Sequence, residues 1–236
     1  AKIAAADLAE RLARSGKGVV HQVQAAAVSI TQATELGTVY RPAEIAAIAE
    51  AGKPYGVRLH MDGARFANAL AASKVSPAEL TWRAGATALS FGATKNGALA
   101  AEAVVLFDKS LAAEFAFRRK RAGHLFSKMR FLSAQLDAYL ADDLWLRHAR
   151  HANAMARRLA DGLARIPGAK LAHAVEANEI FVSLPEPLVA ALEREGFLFY
   201  RWDNAQLLRL VAAWNTDPAD VDRFLAVAAR HAGAAA

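Results

Sequence analysis

The 236-residue chain is 55% hydrophobic and 22% charged, carries a formal net charge of +6, and contains no cysteine. A chain of this length buries a large core, either in one large domain or in a domain with a smaller partner, and its composition excludes a disordered protein. Disulfides, thiolate metal sites and thiol catalysis are excluded outright, and no window approaches the roughly 18 uninterrupted apolar residues of a membrane helix.

In chain order, AAADLAERLAR (4–14) has helical apolar spacing and stops before Gly16. No signal peptide is visible in these first residues, which carry Lys2, Asp7, Glu10 and Arg11 in an amphipathic pattern. A chain that opens at Ala1 inside a helical pattern, without Met, reads as a piece of a longer protein. AAAVSITQ (25–32) predicts a buried strand. Pro42 and Glu44 open a helix that Gly52 stops. VRLHMD (57–62) is the next strand and ARFANALAAS (64–73) the next helix, followed by strands ATALSF (86–91) and AEAVVLF (101–107). Such alternation predicts an α/β fold with a mostly parallel sheet, and ligands of such sheets collect beyond the carboxyl ends of the strands.

The basic run Arg118, Arg119, Lys120 and Arg121 follows a helical stretch and lacks interleaved aromatics. It reads as a solvated helix end, cations lying near the helix C-terminus, rather than as a nucleic-acid patch. Residues 131–165 form one long helical pattern with a break near Asp142. Beyond Pro167, strands at 169–174, 178–184 and 207–211 with helices at 187–195 and 217–232 read as a small α+β domain. The expected division is therefore 1–130 and 131–236, the long helix belonging to the second part. His148 and His151 stand three apart on the long helix and read as a solvated face, not a metal site. His60 is expected to pack under the site or to face the other side of the sheet. The four tryptophans are expected in packing or interfaces.

Asp62 and Lys95 both fall at carboxyl ends of strands that a crossover makes neighbours. Alone, Asp62 reads equally as a helix N-cap, and a carboxylate–amine pair in a cleft can be a simple ion pair. The two are also the fixed groups of a pyridoxal phosphate site, lysine for the Schiff base and acid for the pyridine nitrogen.

Three motifs sharpen the choice. TELGTVYRP (34–42), HMDGARFANA (60–69) and SFGATKNG (90–97), in this order and spacing, resemble the threonine aldolase family, in particular its low-specificity and phenylserine aldolase branch. The resemblance implies the aspartate-aminotransferase-like fold (fold type I), with residues 1–130 the C-terminal portion of a cofactor-binding large domain whose N-terminal part is missing here. It implies pyridoxal 5'-phosphate as cofactor and cleavage of a β-hydroxy-α-amino acid to glycine and an aldehyde. Lys95 would be the Schiff-base lysine and Asp62 the partner of the pyridine nitrogen. Arg65 would lie near the cofactor's phenolic oxygen and the substrate carboxylate. Arg209, in LLRLV, would grip that carboxylate, a task suited to a guanidinium fork. Arg130, in SKMRF, matches an arginine near the cofactor phosphate and reads equally as a surface arginine at a helix start. A cytoplasmic homodimer or homotetramer is expected, with no nucleic-acid or membrane partner.

Two departures stand out. Where many threonine aldolases carry a histidine before the glycine of the first motif, this chain has Ala33 and Thr34. The glycine-rich loop expected to hold the cofactor phosphate is also absent from the sequence. The competing expectations are another fold-type-I lyase or aminotransferase, and a basic, non-catalytic nucleic-acid-binding α/β module.

Overall fold

The computed structural model describes residues 2–202 and 207–232. Eight helices and eight strands are defined among them. In the first half, α1 (Ala5–Ala13), β1 (Ala27–Thr31), α2 (Pro42–Gly52), β2 (Arg58–Gly63), α3 (Phe66–Ser73), β3 (Ala86–Gly92) and β4 (Glu102–Leu106) follow one another. The first sheet has the order β1-β2-β3-β4; the first two pairings are parallel and β4 is an antiparallel edge. Pro42 occupies the first turn of α2, and the Arg41 N–H donates to the Glu44 carboxylate at 2.6 Å, satisfying a donor that the helix start would otherwise leave orphaned.

Alternation along the strands divides the sheet into two unlike faces. Val28, Ile30, Leu59, Met61, Leu89 and Phe91 are buried toward α2 and α3, and full burial of each such side chain is worth about 1.5–3 kcal/mol. Ser29, Thr31, His60, Asp62 and Ser90 lie on the opposite face and are exposed or half-buried.

The second half runs through α4 (Phe115–Arg121), α5 (Arg130–Leu140), α6 (Leu144–Leu163), β5 (Lys170–Leu171), β6 (Glu179–Ser183), α7 (Glu186–Arg194), β7 (Tyr200–Trp202), β8 (Leu207–Val211) and α8 (Pro218–Ala232). The second sheet is wholly antiparallel in the order β5-β6-β8-β7. Its core joins Ile180, Val182, Leu208 and Leu210 to Leu188, Leu192, Phe224 and the end of α6, from Met155 onward. The fold is thus α/β with a mostly parallel sheet, followed by a smaller α+β unit.

The predicted break near Asp142 lies between α5 and α6, where Asp142 and Asp143 take left-handed backbone angles (φ 49° and 55°). Tyr139, before the break, and Trp145, after it, both pack into the first core, against Phe91. The predicted strand at 169–174 shrinks to two residues, and β7 was not predicted. His148 and His151 do not form a solvated face. The half-buried His148 ring packs 4.9 Å from Trp214 and donates from Nδ1 to the Asn96 carbonyl at 3.0 Å, while His151 Nε2 donates to the Thr216 carbonyl at 2.8 Å. No helix among the described residues is long and apolar enough to cross a membrane.

Candidate active site

Because β2 and β3 are parallel neighbours, the turns that leave them emerge on the same edge of the sheet. They also touch. A Cβ built on Gly92 would stand 2.8 Å from Ala64 Cα and 2.9 Å from Ala64 O, so only glycine lets the β3 exit approach the β2 exit this closely. Asp62 is the penultimate residue of β2, and Lys95 lies in the 3-10 turn Thr94–Asn96 just beyond β3.

The Asp62 carboxylate is half-buried. Oδ1 accepts from the Ala64 N–H at 3.0 Å, which fixes the carboxylate and leaves Oδ2 without a donor among the described residues. Asp62 therefore closes a turn rather than capping α3, whose N-cap is Arg65. The Asp62 carbonyl accepts from Gln32 N–H at 2.7 Å, and Thr31, its register partner on β1, donates to Glu35 Oε1 at 2.7 Å. His60, two residues before Asp62, shares its face. That ring bridges Ser29 Oγ (Nδ1, 2.8 Å) and Ser90 Oγ (Nε2, 3.0 Å), a polar rung across three strands. The expectation that His60 lies beneath or behind the site is corrected by strand periodicity, since residues two apart point the same way.

Lys95 is exposed, and the backbone beneath it is anchored. Ala93 N–H donates to the Ala101 carbonyl (3.1 Å), and Ala101 N–H donates to Thr94 Oγ1 (3.1 Å). Asn96 is buried, donating from Nδ2 to Tyr139 Oη (2.6 Å) and to the Trp145 carbonyl (2.8 Å). Burial of Tyr139 pushes its phenol up to about 12 despite that hydrogen bond. The amine thus stands free on a turn whose other side is locked into the core.

Arg65 and Arg209 come together on a residue that the sequence reading missed. Glu179, the first residue of β6, has a fully buried side chain. Its Oε1 accepts from Arg209 Nε at 3.1 Å and from Arg209 Nη2, and lies 3.4 Å from Arg65 Nη2. Burial lowers the Arg65 guanidinium's pKa from its ordinary value; Glu179 and Asp62 oppose that shift and Arg209 adds to it. A signal was available: a lone carboxylate inside the apolar run EIFVS requires a cationic partner once buried. Arg130 stands apart. It is exposed at the start of α5 with its guanidinium 4.8 Å from the Phe131 ring, and no ion pair or hydrogen bond among the described residues ties it to the other four. No cluster of three or more metal-ligating side chains occurs among the described residues.

The model of a family described as beta-eliminating lyase matches residues 1–186. The low specificity L-threonine aldolase of Pseudomonas aeruginosa is 49% identical over 198 residues, an overlap of 84% of this chain and 57% of that protein. The low specificity L-threonine aldolase of a Pseudomonas sp. is 47% identical over 207 residues, 88% of this chain and 60% of that protein. The chain therefore spans less than two thirds of the length of these relatives. Among solved structures, a threonine aldolase of Leishmania major superimposes with a TM-score of 0.90 at 29% identity, covering 98% of this chain and 68% of that one.

Proposed function

The chain belongs to the beta-eliminating lyase family, whose members depend on pyridoxal phosphate, and on that premise we propose that it serves a β-hydroxy-α-amino acid aldolase. The reaction is cleavage of a threonine-, allo-threonine- or phenylserine-type substrate to glycine and an aldehyde. The observation that carries the proposal is the contact between the β2 and β3 exits, which gathers a pinned carboxylate and a free amine at one sheet edge beside a pair of guanidiniums. The names of the Pseudomonas relatives support the aldolase reading.

The donor set fits pyridoxal phosphate. Asp62, with one carboxylate oxygen held by backbone and the other open, suits a protonated ring nitrogen. Lys95 offers the amine for the aldehyde carbon, Arg65 a donor for the phenolic oxygen, and Arg130 a candidate cation for the phosphate. When bound, the cofactor supplies an electron sink for the bond broken at the amino acid's α-carbon.

The chain's own residues do the rest. Lys95 acts as a nucleophile through its neutral amine. Asp62 keeps a proton on the atom it faces. Arg209, with Arg65, takes the substrate α-carboxylate in a planar fork and so holds the amino acid in one orientation. The acceptor for the β-hydroxyl proton is not supplied at positions 33 and 34. Ala33 has no base, and the Thr34 hydroxyl is shared with Thr38 Oγ1 at 2.8 Å.

A homo-oligomer is part of the proposal, supported by the exposed Leu99, Phe117, Phe126 and Phe131. A cytoplasmic setting completes the proposal, and a reducing compartment is compatible with the cysteine-free sequence. The test is product identity from phenylserine, threonine and serine. Glycine with the matching aldehyde supports the proposal; pyruvate or another 2-oxo acid with ammonia shows that β-elimination is the reaction instead.

A further inference from the structure

We propose that Glu179 is a positioning residue for substrate recognition: it orients Arg209, and with it Arg65, to receive the amino acid's carboxylate. The inference rests on the reading of Arg209 as the carboxylate ligand and adds the group that aims it. Glu179 acts through the arginines and touches no reacting atom.

Three features of the structure lead there. First, the carboxylate is placed by topology. β6 and β8 pair antiparallel with Phe181 opposite Arg209, so Glu179, two residues from Phe181, is the diagonal neighbour of Arg209 on the same face. Trp202 borders the guanidinium as well, its ring 5.8 Å from Arg209 Cζ. Second, the hydrogen bonds select an edge. A guanidinium has five N–H donors in a rigid plane. Glu179 Oε1 takes the Nε–Nη2 edge of Arg209, which turns the Nη1 end away from Glu179 as a donor edge for a second carboxylate. Third, Glu179 cannot drift. Its side chain is fully buried, and a buried carboxylate stays with the cations that compensate its charge, here Arg209 and Arg65. The turn at Thr34–Thr38 braces it from behind: Gly37 has φ +74°, and a Cβ there would stand 2.9 Å from the Glu179 carbonyl oxygen.

Because Arg65 follows β2 of the first sheet and Arg209 lies in β8 of the second, Glu179 is also the charge that ties the two sheets' contributions together. Without it, two partly desolvated guanidiniums would face each other and turn apart. The substrate fork would be lost, while Asp62 and Lys95, on the first sheet, would stay in place.

The test compares wild type with Glu179→Gln in the cofactor-loaded protein. Glycine binding is measured by calorimetry, KM and kcat with phenylserine, and cofactor content by visible absorbance. The proposal expects about a tenfold or greater rise in both the glycine dissociation constant and KM, with kcat changed less than about threefold and cofactor content unchanged. An amino alcohol lacking the carboxylate should bind both proteins alike. Unchanged glycine binding in a folded, loaded Glu179→Gln protein overturns the proposal, as does a loss of kcat and cofactor with KM unmoved. Should Glu179→Gln not fold, Glu179→Asp, which retracts the carboxylate by one methylene, must show the same KM-selective loss; its absence overturns the proposal equally. Wild-type protein that takes up pyridoxal phosphate and binds no glycine refutes the substrate reading itself, a result distinct from any effect of the substitution.

Discussion

Replacing Asn96 with alanine probes how firmly the core holds the turn that presents Lys95. Asn96 is 2% exposed, and its amide donates to Tyr139 Oη at 2.6 Å and to the Trp145 carbonyl at 2.8 Å. Each bond contributes about 1 kcal/mol net, and stranding a buried acceptor costs about 1–3 kcal/mol. The acceptor left stranded is Tyr139 Oη, because Tyr139 is 3% exposed, whereas the Trp145 carbonyl lies in the first turn of α6 and keeps its place in the helix. The summed loss is therefore about 2–4 kcal/mol. Urea unfolding followed by tryptophan fluorescence measures it, with Tyr139→Phe as the companion that removes only the first bond and costs about 1 kcal/mol. The Asn96 backbone carbonyl keeps its bond from His148, so the turn should loosen rather than unfold, and reductive labelling of Lys95 by pyridoxal phosphate should slow. A stability loss below about 0.5 kcal/mol would refute the reasoning, since two buried hydrogen bonds would then contribute nothing.

Three further outcomes are expected. Gly37→Ala should destabilise the protein by about 1–3 kcal/mol, because the left-handed backbone and the 2.9 Å approach to Glu179 O are both closed to alanine; thermal unfolding measures it, and a raised melting temperature contradicts it. Tyr139 titrates at about 12 in the fold, above the ordinary value of 10.0. The folded protein then keeps a proton that the unfolded chain loses, so the contribution of Tyr139 is complete below pH 10 and declines as pH rises toward 12, by up to about 2.7 kcal/mol; Tyr139→Phe should remove that slope from urea midpoints collected across this range. Asp62→Asn should preserve folding while lowering aldol cleavage by at least about a hundredfold, since the neutral amide cannot hold a proton on a ring nitrogen; unaltered turnover would exclude Asp62 from the role assigned to it.

Much of the fold was legible because its signals are local. Alternating apolar residues in VRLHMD and ALSF, Pro42 at a helix start and Gly52 at its end each act within a few residues. The break at Asp142 was legible too, in the paired acids interrupting an apolar stripe. What escaped depends on distant partners. β7 is three residues long and exists through pairing with β8. His148 and His151 look solvated on a helical wheel, yet Asn96, Trp214 and Thr216 arrive from other segments to cover them. Asp62 and Lys95 stood out because strand ends carry them, and Arg65 because it sits one turn beyond. Glu179 stands at the head of an apolar strand, where its charge was a signal without a visible partner. Its meaning appears only when Arg65 and Arg209 converge on it from two sheets.

The central claim is that the edge formed by the β2 and β3 exits is a pyridoxal phosphate site with Lys95 as its covalent anchor. Borohydride reduction of the cofactor-loaded protein, followed by peptide mapping, tests it most directly. The account predicts a visible absorbance band that disappears on reduction and a pyridoxyl group fixed on Lys95, absent from Lys95→Ala. A protein that takes up no pyridoxal phosphate, or one labelled at another lysine with Lys95 unmodified, would contradict it.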